Sequence, residues 1–170
     1  MQEKSNIVLL GMPGSGKSTV GVLLAKRLGK RFVDTDLLIQ EQEGRLLPDI
    51  IREEGLEKFI AIENRVNAEV TAENSVIAPG GSAVYGSEAM AHFKSLGRVV
   101  YIRIPFETLE KRLGDYSHRG VVIREGKTLR DMYRERIPLY EKYADITVDS
   151  TDTMYETVKI LTEAVKGQTV

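Results

Sequence analysis

Apolar residues along the chain fall into two alternating patterns. Short unbroken runs bounded by turn residues read as buried strands: Ser5 to Leu10, Arg31-Phe32-Val33, Ser75 to Ala78, Val99 to Ile104 and Ile146 to Val148. Between them lie amphipathic stretches with helical spacing. Thr19 to Leu28 carries it through Val20, Leu23, Leu24 and Leu28 and is closed by Gly29. Further helices are predicted over Glu88–Leu96, Phe106–Leu113, Leu129–Tyr143 and Thr153–Lys166. Two or three more lie between Leu37 and Ala72, one of them starting at Pro48, since proline suits a first helical turn. Gly114 to Gly126 is polar, punctuated by glycine and without a clear period, so it reads as a loop. Five strands alternating with helices predict an α/β fold with a mainly parallel sheet and helices on both faces. In such sheets ligands bind beyond the carboxyl ends of the strands, which is where the chemistry should fall.

Composition narrows the classes without naming a function. The chain has 170 residues, no cysteine, and 24 basic against 25 acidic residues. That length favours one domain over 1–170. Zero cysteines exclude disulfides and thiolate metal sites. A net charge of −1 gives no global reason to expect nucleic acid as a partner. No apolar run approaches the ~20 residues of a membrane span, and the amino terminus lacks the basic-then-apolar form of a secretory signal. The expectation is a cytoplasmic monomer with no nucleic-acid or membrane partner.

The strongest local signal is Gly11-Met12-Pro13-Gly14-Ser15-Gly16-Lys17-Ser18, which matches G-x-x-x-x-G-K-[ST] directly after a strand and opening a helix. The glycines let successive backbone N–H groups turn towards phosphate oxygens, and the helix N-terminus adds its dipole. Lys17 then bridges the β- and γ-phosphates, and the Ser18 hydroxyl ligates Mg²⁺. Gly11, Gly14, Ser15, Gly16, Lys17, Ser18 and Thr19 therefore form the candidate nucleotide cradle, with ATP and Mg²⁺ as the implied cofactors. A motor or transporter ATPase needs more chain, and no Asn-Lys-x-Asp guanine-reading motif of a GTPase is present. Small size, a helical insert after the second strand and a basic loop late in the chain suggest a small kinase that closes over two substrates.

Several further motifs resemble the shikimate kinase family, a branch of the nucleoside-monophosphate-kinase-like proteins, in order and spacing over essentially the whole chain. Asp34-Thr35-Asp36 resembles its Asp-x-Asp after the second strand, and Gly55 to Glu63 (GLEKFIAIE) its G-E-x-x-F-R-x-x-E helix. Gly80-Gly81-Ser82-Ala83-Val84 resembles its G-G-G-x-V turn, and Arg136-Ile137-Pro138-Leu139-Tyr140 with Ala144-Asp145 its R-x-x-L-Y…A-D ending. The resemblance implies a three-layer P-loop NTPase fold with a five-stranded parallel sheet, a mobile lid over about 113–126 and an acceptor-binding helical segment over about 34–73, and it implies phosphorylation of shikimate to shikimate 3-phosphate in aromatic amino acid biosynthesis. It implies that Asp34 holds Mg²⁺ through water and that Asp36 binds the acceptor hydroxyl. Arg112 stands where a family arginine approaches adenine, and Arg119 where the lid arginine crosses to the transferring phosphate. The family's Pro-Leu-Leu after that arginine is Gly120-Val121-Val122 here, which leaves Arg124 as the alternative lid arginine.

Asp34 and Asp36 both face the crevice if the chain stays extended there; otherwise one of them caps the following helix. His92 and His118 read as solvated, and Tyr140 and Tyr143 as packing residues. The resemblance breaks in the acceptor pocket. Its carboxylate clamp pairs an arginine on the GLEKFIAIE helix with a second near R-x-x-L-Y; here the first is Ile60, and the motif's first glutamate is Leu56. Leu56, Ile60, Glu63 and Asn64 share one helical face by spacing, so a pocket wall with two apolar points is expected, with Glu63 and Arg136 retained. The expected acceptor set is Asp36, Ile60, Glu63, Gly80, Gly81, Ser82 and Arg136. Two other readings stay open: a kinase of another small polyol or hydroxy acid on the same scaffold, and an ATP-binding regulatory module without turnover.

Charge is also unevenly placed. From Asp34 to Glu73 there are 11 acidic against 4 basic residues, and from Arg112 to Arg136 there are 7 basic against 4 acidic. The basic stretch lies where a triphosphate needs neutralising.

Overall fold

The computed structural model describes residues 5–114 and 121–167. Its sheet contains β1 (Asn6–Leu10), β2 (Arg31–Asp34), β3 (Ser75–Ala78), β4 (Gly97–Arg103) and β5 (Ile146–Asp149), all parallel, in the order β2-β3-β1-β4-β5. The inner strands β1 and β3 are buried along their whole length, which is why they read as unbroken apolar runs. Edge strand β5 alternates buried and exposed positions instead.

Successive β1 side chains divide the core. Val8 and Leu10 join Ile77, Val99 and Tyr101 beneath α5 (Ser87–Leu96), α6 (Phe106–Leu113) and α7 (Leu129–Tyr143). Ile7 and Leu9 join Val76, Val100 and Ile102 beneath α1 (Lys17–Leu28) and α8 (Met154–Lys166). That period of two, covered on both sides, makes the three layers. A third cluster of Ile39, Leu47, Ile50, Phe59, Val66 and Val122 holds together α2 (Thr35–Glu43), α3 (Leu47–Glu54) and α4 (Leu56–Ala68).

The helical segment after β2 thus resolves into three helices, with Pro48 in the first turn of the second. The expected turn after β3 is a 3₁₀ turn over Gly81–Tyr85. The chain does not stay extended through Asp34-Thr35-Asp36: α2 begins at Thr35, because Asp34 Oδ1 accepts the Asp36 N–H at 2.9 Å and caps the helix. His92 departs from expectation, since its Nε2 lies 2.7 Å from the Val70 carbonyl rather than in open solvent. Among the described residues no helix is long and apolar enough to cross a membrane.

β1 lies between β3 and β4, so the chain's winding reverses at its carboxyl end. That reversal opens the crevice of the site.

Candidate active site

The phosphate loop leaves the carboxyl end of β1 and passes directly into α1. Gly14 and Gly16 have φ of 78° and 90°, a left-handed conformation that L side chains resist, and Gly16 is the residue immediately before the helix. A side chain at Gly16 would also place its Cβ 2.9 Å from Met154 Cε. Lys17 Nζ donates 2.8 Å hydrogen bonds to the carbonyls of Gly11 and Met12, across the mouth of the loop. Burial pushes Lys17 down to about 8; Arg136 acts in the same direction, while Asp36, Asp34 and Glu63 oppose it.

Opposite the loop, Asp34 serves two neighbours. Its Oδ1 holds the Asp36 N–H, and its Oδ2 accepts from the Ser18 hydroxyl at 3.2 Å. This corner offers oxygen ligands only, the donor set a hard cation prefers. Among the described residues no three acidic, histidine or cysteine side chains cluster as a self-sufficient metal site. Ser18 and Asp34 therefore fit a Mg²⁺ ion whose remaining ligands are phosphate oxygens and water.

Asp36, in the first turn of α2, is half-buried. Burial and then the Asp34 charge push its carboxyl up to about 6, with Lys17 opposing. Beyond the end of β3, a Cβ at Gly80 would lie 2.9 Å from both Asp36 Oδ1 and Glu63 Oε2, so glycine leaves both carboxyls their places. Glu63, projecting from α4, is held through Oε1 by the Ser82 hydroxyl at 2.5 Å, while Oε2 is buried with no hydrogen-bond partner in the structure. Burial pushes Glu63 up to about 7 even though the Ser82 bond pulls it down. Arg136, fully buried on α7, donates from Nη2 to the Val122 carbonyl at 2.6 Å and from Nε to the Tyr85 hydroxyl at 3.3 Å. Tyr140, a packing residue as expected, donates to the Gly81 carbonyl at 2.6 Å.

These groups share one cleft of about 560 Å³. At one end stand Gly14, Gly16, Lys17, Ser18, Thr19 and Arg112; at the other stand Asp36, Glu63, Gly80, Gly81, Ser82 and Arg136. A single space thus joins a triphosphate cradle to a polar pocket holding two carboxyls and one guanidinium. The Shikimate kinase family model matches residues 13–166. The shikimate kinase of Thermobifida fusca is 37% identical over 154 residues, covering 89% of each chain. The chain belongs to the shikimate kinase family. Shikimate kinase 2 of Yersinia pseudotuberculosis is 35% identical, with 96% of this chain and 97% of that one covered. A solved shikimate kinase from Acinetobacter baumannii, in complex with shikimate, superposes with a TM-score of 0.86 at 32% identity, over 97% of this chain and 95% of that chain. The shikimate kinase of Aquifex aeolicus gives 0.81 at 32% identity, over 97% and 98%. The fold is therefore that of the shikimate kinases, a family of ATP-dependent phosphotransferases.

Against this frame of a shikimate kinase, several expected residues stand apart. Ile60 does not line the cleft; it packs, with Leu56, against the Ile39–Phe59 cluster, so the pocket's apolar wall comes instead from Leu47, Phe59, Val121 and Val122. Asn64 faces α5, accepting the Ala89 N–H at 3.0 Å. Gly11 and Ser15 are buried within the loop and do not line the cleft. Arg112 Nη1 reaches the Ser15 carbonyl at 3.4 Å. Arg124 does not line the cleft: it bonds Glu57 at 3.1 Å and Glu135 at 2.9 Å, with its guanidinium 4.9 Å from the centre of the Tyr85 ring. Arg119 and His118 lie outside the described residues. Met154 and Leu113 line the cleft beside Gly16 and Gly14 and were missed. The only signal that could have found Met154 is its place just beyond the carboxyl end of β5.

Proposed function

We propose that this chain transfers the γ-phosphoryl group of ATP to the 3-hydroxyl of shikimate, with Mg²⁺ as cofactor. The observation that carries this reading is the shared cleft: Lys17 stands at one end, and Asp36, Gly80 and Arg136 stand at the other. The phosphate-loop backbone, with Ser15 buried within it and Thr19 beside it, cradles the phosphates. Lys17 exchanges its carbonyl partners for β- and γ-phosphate oxygens. Ser18 and Asp34 hold Mg²⁺, which supplies charge neutralisation at the phosphates when bound. Asp36 Oδ1 accepts the hydrogen bond of the acceptor hydroxyl and takes its proton as the new O–P bond forms and the bond from phosphorus to the ADP oxygen breaks. Arg136 offers its remaining guanidinium face to the acceptor carboxylate. Arg112 borders the nucleotide, and Arg119 carries positive charge to the transferring group. An α-helical acceptor segment and a lid working with one kinase core, in the cytoplasm and as a monomer, complete the proposal.

One observation favours a second acceptor class. Arg136 is the only guanidinium among the described residues at the acceptor end, and two of its nitrogens are already engaged. Arg52 and Arg65 do not supply a second, since they pair with Asp49 and Glu43 on the surface. A non-carboxylated cyclic polyol fits such a pocket with fewer demands on charge. ADP release with shikimate, set beside the same assay with neutral polyols, tests the proposal. Turnover of shikimate at the higher kcat/KM supports it; preference for a neutral polyol overturns it.

A further inference from the structure

The Ser82–Glu63 pair has no counterpart in the glycine-rich turn that the sequence resembles, where a third glycine stands at position 82. It is buried, yet it borders the acceptor end of the cleft. Ser82 engages Glu63 Oε1 at 2.5 Å and so fixes the rotation of the carboxyl group. The other oxygen, Oε2, has no hydrogen-bond partner and lies beside the same Gly80 backbone point as Asp36 Oδ1, each 2.9 Å from where a Cβ would stand. A buried carboxyl oxygen without a partner is rare in a native structure unless something else fills the role.

We propose that Ser82 and Glu63 form a specificity element: Ser82 positions Glu63 so that Oε2 accepts a hydrogen bond from the acceptor hydroxyl adjacent to the one held by Asp36, and the site selects vicinal diols. The inference rests on the proposed phosphorylation of a hydroxylated ring and deepens it by naming what is read beside the reacting group. Two oxygens flanking one backbone point suit two neighbouring hydroxyls of a ring; hydroxyls on distant carbons reach one oxygen or the other. Glu63 faces Ser82 on the 3₁₀ turn, Asp36 on α2, Lys17 on α1 and Arg136 on α7. Burial and the Asp36 charge favour its neutral form, while the Ser82 bond, Arg136 and Lys17 favour the ionised form, the stronger hydrogen-bond acceptor.

The experiment is a variant-by-analogue cycle. Wild type, Ser82→Ala and Glu63→Gln are each assayed with shikimate and with 4-deoxyshikimate, which lacks the hydroxyl next to the reacting one. Wild type is expected to lose about tenfold or more in kcat/KM on the deoxy analogue, because the site's buried acceptor is left unpaired. Both variants should lose most of that discrimination, with acceptor KM raised and ATP KM unchanged. Equal discrimination in all three proteins overturns the proposal. Carbon-13 NMR titration of the Glu63 carboxyl, in wild type and Ser82→Ala without any acceptor, tests the pairing alone: the midpoint should rise in the variant, and an unchanged midpoint overturns it. Should wild type fail to use shikimate, the proposed function falls. The diol arm is then read by ADP release with cis-1,2- against cis-1,3-cyclohexanediol, where preference for the 1,2-isomer supports the inference and no preference overturns it.

Discussion

Asp34 caps the helix that carries Asp36: its Oδ1 accepts the Asp36 backbone N–H at 2.9 Å, while Oδ2 accepts the Ser18 hydroxyl at 3.2 Å. One carboxylate therefore sets the acceptor-side acid in place and faces the Mg²⁺ corner of the phosphate loop. The two roles separate by substitution. Asparagine caps a helix about as well as aspartate, so Asp34→Asn should leave the thermal midpoint nearly unchanged while raising the Mg²⁺ requirement roughly 10–100-fold. Asp34→Ala should show the same loss and also cost about 1 kcal/mol of stability. Magnesium titration of turnover, with chemical denaturation of each variant, checks both; a destabilised Asp34→Asn would contradict the division of labour.

Lys17 bonds two loop carbonyls at 2.8 Å, so its ammonium already stands among the groups that surround the phosphates. Lys17→Met should lower kcat by at least ~100-fold, the usual cost of removing a donor from a developing negative charge. Single-turnover kinetics at saturating ATP separate this loss from weaker binding. Turnover like that of wild type would remove the phosphate-loop assignment.

The pH profile should have two limbs. Asp36, pushed up to about 6 by burial and by Asp34, must be ionised to take the acceptor proton, so kcat/KM for the acceptor should rise through that pH. Lys17, pushed down to about 8 by burial, loses its charge as pH increases, so kcat/KM for ATP should fall above that pH. Glu63, pushed up to about 7, adds to the same limb, so Asp36→Asn should remove its component near pH 6 along with most of the activity. A flat profile between pH 5 and 7 in wild type would show that Asp36 carries no proton in the rate-limiting process.

The sequence revealed what is local. The phosphate loop is a contiguous run whose glycines, lysine and serine act on one another, and the strand-helix alternation is written in apolar periods of two and of 3.6. What depends on packing was less visible. Spacing puts Ile60 and Glu63 on one helical face, but how α4 rolls against α2 and α3 decides that Glu63 enters the cleft while Ile60 joins their core. Asp34 and Asp36 look alike as an extended pair, yet capping turns the first into the anchor of the second. Met154 meets Gly16 only because the sheet brings β5's following helix beside the phosphate loop. The Ser82–Glu63 bond likewise joins a turn after β3 to the middle of α4, and no short motif contains both.

Glu63 also makes folding stability depend on pH. Its pKa is 4.5 in an unfolded chain and about 7 in the native state, where burial is the largest cause, the Ser82 bond opposes it, and Asp36 adds to it. Between those values the native state holds a proton that the unfolded chain has released. Stability is therefore fully present below pH 4.5, falls as pH rises through the window and levels off above about pH 7. The loss is on the order of 3 kcal/mol, at about 1.4 kcal/mol per unit of pKa shift. Glu63→Gln keeps an oxygen for the Ser82 hydroxyl and removes the titration. The difference in unfolding free energy between the variant and wild type should therefore move in the variant's favour as pH is raised from 5 to 8. Urea denaturation at those two pH values measures it. Parallel behaviour of the two proteins would mean that Glu63 is solvated or already ionised in the folded protein, contrary to its buried place beside Gly80.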